Sequence, residues 1–131
     1  MSKKVLITGG AGFIGLHLTN RLLNEGYTVD IIDNFSRGIE DSSLKETLQR
    51  KRTKFIFVDL LDINALHELD EDYDLIFHLA AIIGVTHVMD KPFKVLNDNI
   101  RMLVNVIEFA RRQSKFSRLF FASTSEVYSG T

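Results

Sequence analysis

KKVLITGGAGFIG, residues 3–15, decides the fold. Val5, Leu6 and Ile7 form a continuous apolar run, as expected of a strand covered on both faces. Thr8 follows, then glycines at 9, 10, 12 and 15, and an amphipathic stretch begins without a gap. A buried strand that turns on glycines into a helix presents unpaired backbone N–H groups and a partial positive charge. Both suit a pyrophosphate. Gly10 to Gly15 fits G-x-G-x-x-G, and Gly9, Gly12 and Gly15 also fit G-x-x-G-x-x-G. Gly9 or Gly10 permits the tight turn, Gly12 lets the backbone approach the phosphates, and Gly15 lets the helix pack close to the sheet. Such glycines alone also fit an ordinary β–α turn, so context must supply the rest. Residues 28–32, TVDII, read as a second strand, and Asp33 ends it about 20 residues past the glycines, where a ribose-binding acid belongs.

An acid at that strand end accepts both hydroxyls of an adenosine ribose and repels a 2′-phosphate. Asp33 therefore predicts NAD rather than NADP. Arg37 bears the other way, since an arginine there can accommodate the phosphate.

A length of 131 residues fits one domain. The net charge of −1 argues against a nucleic-acid or membrane partner held by bulk electrostatics. With no cysteine, disulfides, thiolate metal sites and thiol nucleophiles are excluded. His78 and His87 have neither helical spacing nor a third ligand, so no metal site is expected. No apolar run approaches a membrane span or a signal-peptide core, so a cytoplasmic location is expected.

The remaining chain alternates helix and strand. Phe13 to Asn24 reads as a helix with Ile14, Leu18 and Leu22 on one face, ended by Gly26. Asn34 to Gly38 is a loop, and Asp41 to Arg50 a short helix capped by Asp41 or Ser42. Phe55 to Val58 is the third strand. Asp59 follows it as a ligand carboxylate or a simple turn residue, and Asp62 caps the next helix. Asp74 to His78 is the fourth strand, and the small residues of Leu79-Ala80-Ala81 after it allow a ring to lie against the backbone. Ile82 to Asp90 has no clear period and reads as a loop lining a pocket. A long helix then runs from Pro92, with Asp90 as its cap, to about Ser114. Val95, Asn99, Leu103, Val106 and Ala110 form its seam. Ile100, Val104 and Ile107 widen the apolar arc, so the helix is expected to be buried on two sides. Arg118 to Ala122 is the fifth strand, followed by the hydroxyls of Ser123-Thr124-Ser125.

Five strands joined by helices predict an α/β fold, a Rossmann-type doubly wound parallel sheet in the order 3-2-1-4-5, truncated after the fifth strand. Gly12, Asp33, Asp59, Ala80 and Thr124 all follow strand ends on one rim.

With these residues assembled, the chain resembles the extended short-chain dehydrogenase/reductase superfamily, specifically its nucleotide-sugar epimerases, dehydratases and decarboxylases. The matching pieces are TGGAGFIG at 8–15, DNFSRG at 33–38, VDLLD at 58–62, FHLAA at 77–81, KPF at 91–93 with NDN at 97–99, and STSEVY at 123–128. The resemblance implies that Gly9, Gly12, Gly15 and the backbone of Phe13 and Ile14 hold the NAD pyrophosphate. Asp33 and Asn34 then bind the adenosine end, and Asp59 and Leu60 contact the adenine. Leu79, Ala80 and Ala81 lie along the nicotinamide side, and Asn99 supports the same cleft. Thr124 corresponds to the catalytic hydroxyl that bonds the sugar hydroxyl being oxidised, usually at C4. Glu126 resembles the glutamate that takes part in decarboxylase chemistry, whereas VDLLD is more like the epimerases.

The family's catalytic Tyr-x-x-x-Lys pair has no counterpart in these 131 residues. Tyr128 belongs to the STSEVY motif, and Tyr73 precedes a strand on the opposite rim. Residues 1–131 are therefore expected to be an NAD-binding Rossmann domain whose substrate domain is absent, binding cofactor but inactive alone. The nucleotide-sugar belongs to the full-length enzyme, with no nucleic acid and no membrane. Self-association, as a homodimer or otherwise, is expected through the fifth strand's open edge or through the long helix, which often forms the dimer in this family. The rival expectation is a stand-alone dinucleotide-binding or redox-sensing module without catalysis.

Overall fold

A computed structural model describes residues 2–128 and 130. Strand β1 (Lys4–Thr8) leads into helix α1 (Phe13–Asn24), and β2 (Thr28–Asp33) into α2 (Ser42–Leu48). Then come β3 (Thr53–Phe57), α3 (Ile63–His67), β4 (Leu75–His78), α4 (Val85–Asp90), α5 (Pro92–Arg111) and β5 (Arg118–Phe121), with a 3-10 turn at Ser125–Tyr128. The five strands form one parallel sheet in the order β3-β2-β1-β4-β5.

Both faces of the sheet are covered at its centre, which explains the unbroken apolar run of β1. Leu6, Ile32 and Ile76 face α3 and α5, against Leu66, Met102, Val106 and Phe109. Val5, Ile7, Val29 and Ile31 face α1 and α2, against Leu22, Leu23 and Leu44. The central β1 residues Val5, Leu6 and Ile7 are fully buried.

The helix caps follow the sequence where a carboxylate is available. Asp41 accepts from the Leu44 amide, and Asp62 from those of Asn64 and Ala65. Gly26, at φ 93°, takes the left-handed position after α1 and donates to the Leu23 carbonyl.

Several expectations are corrected. Ile14 is not on the buried face of α1 but 67% exposed, because the helix turns Gly15, Thr19, Leu22 and Leu23 inward. Residues 85–90 are helix, not loop; α4 buries none of its residues, so it left no periodic apolar signal. Asp90 closes that helix, and the N-cap of α5 is Lys91, which makes no side-chain cap bond. On α5, Val106 and Ala110 of the expected seam are buried, but the rest of the inward face is Asp98, Met102 and Phe109, and Ile100, Val104 and Ile107 remain exposed.

At the rim where β1 to β3 begin, Asp30 is buried beneath charge. Its carboxylate accepts from the Tyr73 hydroxyl at 2.6 Å and lies 3.9 Å from Lys4 Nζ and 3.6 Å from Lys54 Nζ. Burial, then the Asp30 carboxylate, hold the Tyr73 hydroxyl far above its ordinary titration range. Lys4 also bonds Asp70 and Asp72. Replacing Tyr73 by Phe removes one partner from a buried carboxylate, so urea unfolding is expected to show a loss of about 1–3 kcal/mol.

Candidate functional site

The turn after β1 is the origin of the site. Gly9 has φ 66°, and a Cβ there would stand 2.9 Å from both the Cα and the amide N of Ala80. No side chain fits this approach between the first and fourth strand ends. Gly15 meets the turn itself, not the sheet: a Cβ would lie 2.6 Å from Gly10 Cα and 2.7 Å from the Gly9 oxygen. That contact sets the first turn of α1 directly over the loop. Gly12 is the N-cap and supplies no capping side chain, and no acid lies in the first turn of α1. The helix end thus has no side-chain partner of its own.

Thr8 holds the opposite wall. Its Oγ1 accepts from the Leu79 amide at 3.1 Å and the Ala80 amide at 3.2 Å. With both lone pairs engaged, its proton goes to His78 Nδ1, 2.8 Å away. His78 therefore carries its own proton on Nε2. Burial pushes its imidazole down to about 4.

A cavity of about 1380 Å³ opens over these elements. Gly9, Gly12, Phe13, Ile14 and Gly15 form its floor, and Leu79, Ala80 and Ala81 one wall. Asp33, Asn34, Asp59 and Leu60 line the other side. Asp33 Oδ2 accepts from the Ala11 amide at 3.1 Å, and Oδ1 from the Phe35 amide at 2.9 Å. Asp59 is exposed and accepts from the Leu61 amide, so it also shapes its own turn. Leu60 is buried, and its carbonyl accepts from Asn105.

The remaining predicted residues sit elsewhere. Asn99 does not line the cavity. It grips the Ile82 backbone from both sides, accepting from the amide at 2.7 Å and donating to the carbonyl at 3.0 Å. Thr124 and Glu126 follow β5 on the same rim but are exposed and outside the cavity lining, which ends at Ala122. Thr124 Oγ1 accepts from the Glu126 amide at 3.2 Å.

Lys94, Asp98 and Met102 of α5 line the cavity and were not foreseen as site residues. Asp98 is buried, and the Lys94 ammonium, bonded to it at 2.5 Å, holds its carboxyl below the ordinary range. The i, i+4 spacing of these two residues was the available signal.

A parallel sheet with a glycine turn, an uncapped helix end and an acid closing the second strand defines a dinucleotide-binding Rossmann protein. The profile of the NAD dependent epimerase/dehydratase family matches residues 5–131, and the chain belongs to that family. It is 43% identical over 128 residues to the UDP-N-acetyl-alpha-D-glucosaminuronate decarboxylase of Bacillus cytotoxicus, covering 98% of this chain and 38% of that one. Among solved structures it resembles the UDP-Glc/GlcNAc 4-epimerase of Campylobacter jejuni, with TM-score 0.87 and 31% identity over 98% of this chain and 39% of that one. It also resembles the UDP-glucose 4-epimerase of Bifidobacterium longum in complex with NAD+ and UDP, with TM-score 0.83 and 27% identity over 97% and 38%. The chain thus spans well under half the length of these relatives.

The pH dependence of folding tests the buried imidazole. An unfolded histidine titrates near 6.5, so the depressed folded value destabilises the fold as pH falls from there towards 4. A His78→Asn variant lacks this titration. The wild type's stability relative to that variant is expected to fall by about 2–3 kcal/mol between pH 7.5 and 4.5 in urea unfolding.

Proposed function

We propose that the chain is the N-terminal, cofactor-binding part of a nucleotide-sugar epimerase, dehydratase or decarboxylase, and that it binds NAD in the cavity over the glycine turn. The observation that carries this is the fit at Gly9, where backbone meets backbone beside a helix end with no cap of its own. Family membership and the NAD-bound relative support it.

In this reading the amides of Phe13, Ile14 and Gly15 face the pyrophosphate, and Asp33 takes the adenosine ribose hydroxyls. Asn34 shapes that end of the cleft by accepting from the Ser36 amide. Asp59 and Leu60 border the adenine, and Leu79, Ala80 and Ala81 exclude water from the nicotinamide side. Asn99 acts on the cofactor indirectly, by fixing Ile82. NAD, when bound, supplies the acceptor for a hydride from a sugar carbon.

Thr124 is the candidate catalytic hydroxyl. It accepts from an amide, which leaves its proton free to be donated to a substrate oxygen. Glu126 follows as a candidate acid/base group. Both are exposed, and no Tyr-x-x-x-Lys pair occurs in the sequence, so the chain alone is proposed to bind cofactor without turnover. Loss of a positioned acid/base group costs about 10²–10⁴-fold in rate. The proposed location is the cytoplasm; among the described residues no helix is long and apolar enough to cross a membrane.

Titration calorimetry tests the cofactor. NAD is expected to bind and NADP to bind at least about tenfold more weakly, through repulsion by Asp33. Tight NADP with no NAD binding would reverse the role given to Asp33. Gly15→Val, which drives a side chain into Gly9 and Gly10, is expected to abolish NAD binding.

Self-association is proposed through α5, where Phe93, Leu96, Ile100, Val104 and Ile107 are exposed along one side. Light scattering is expected to show a dimer for the wild-type chain and a monomer for the double variant Ile100→Asp, Val104→Asp. A wild-type monomer at high concentration overturns this.

A further inference from the structure

Phe35 is anomalous in two respects. Its backbone is left-handed, at φ 56°, a conformation that is costly for a residue with a Cβ and is ordinarily given to Gly or Asn. Its ring stacks on Phe55 of β3, with centroids 4.9 Å apart and planes 26° from parallel. The ring also packs against the apolar cluster of Val5, Ile7, Val29 and Ile31. A glycine would satisfy the turn without strain, yet the position carries a ring that ties the loop to the sheet.

What the tie controls is Asp33. Oδ1 of that carboxylate is held by the Phe35 amide, and Oδ2 by the Ala11 amide of the glycine turn. The loop beyond Phe35 returns onto the same turn: a Cβ on Gly38 would lie 3.1 Å from Ala11 Cβ. An ionised carboxylate has about four acceptor positions, so two remain for a ligand in the cavity that Asp33 lines. A carboxylate fixed at both oxygens can receive two ribose hydroxyls. It cannot rotate away from a 2′-phosphate. A carboxylate released at one oxygen can do so, and Arg37 in the same loop and lining the same cavity would then favour the phosphate.

We propose that Phe35 is a positioning residue that sets dinucleotide preference. Its ring anchors the left-handed turn to Phe55, and the turn immobilises Asp33 against the 2′-phosphate. Specificity of this kind is a difference between two affinities, to which a repelling group held in place contributes. The inference rests on the NAD reading above.

The test compares wild type with Phe35→Ala, Phe35→Leu and Phe35→Tyr in the 131-residue chain. NAD and NADP affinities are measured by calorimetry, and amide exchange by NMR. Phe35→Ala is expected to narrow the NAD-over-NADP ratio about tenfold, with Phe35→Leu intermediate and Phe35→Tyr like wild type. The Ala11 amide is expected to lose protection in Phe35→Ala while the amides of Val5 to Ile7 keep theirs. A parallel loss of affinity for both dinucleotides, with the ratio unchanged, overturns the proposal. If Phe35→Ala does not fold, the same readings on Phe35→Leu decide. If wild type binds neither dinucleotide, the cofactor reading falls by itself. Exchange at Ala11 then still decides: unchanged protection in the variant overturns the hold on Asp33, and lost protection upholds it.

Discussion

The hydroxyl of Thr8 joins the two halves of the cleft. One oxygen atom accepts two amides from the end of β4 and donates to the His78 ring. Because it lies at the last residue of the central strand, it fixes the β4 exit against the β1 exit. Gly9 then meets Ala80 at a separation that leaves no room for any side chain. The Leu79–Ala81 wall is held by that join, while the glycine turn and the start of α1 are set by their own backbone bonds and by the contact of Gly15 with Gly9 and Gly10. The backbone ladder already sets the spacing of β1 and β4, with the Leu79 amide on the Thr8 carbonyl, and the hydroxyl adds the hold on Ala80 just past the strand end.

The fold was legible because its signals are local and repeated. A strand buried on both faces reads as an apolar run, and a carboxylate ahead of a helix reads as a cap. The strand order follows from alternation of helix and strand together with the place of the phosphate glycines. The short helix α4 escaped because it buries none of its residues and so leaves no period. The inward face of α5 was legible only in part, at Val106 and Ala110, for a related reason. Asp98, a charged residue, points inward with Lys94 as its partner, whereas Ile100 and Val104 point out. A hydropathy pattern assigns those faces the other way.

The site was legible where a backbone shape demanded a particular residue and obscure where a side chain acted on another part of the chain. Gly9, Gly15 and Asp33 stand where their spacing places them. Asn99 was associated with the cleft, but its two bonds to Ile82 depend on a loop conformation that no sequence pattern encodes. Asn105, which holds the Leu60 carbonyl, and Phe35, which stacks on a residue of a different strand, gave no local signal at all. Thr124 and Glu126 lie on the expected rim, yet outside the cavity wall, which ends at Ala122.

The charged cluster beneath Asp30 bears on the other end of the molecule. There, three carboxylates, Asp30, Asp70 and Asp72, face two ammonium groups, Lys4 and Lys54, each ammonium shared between two or more carboxylates. At the rim where the strands end, α1 presents its positive pole with no acid in its first turn. The two ends of the sheet are thus built differently, one closed by charges that satisfy one another and the other carrying an open helix pole.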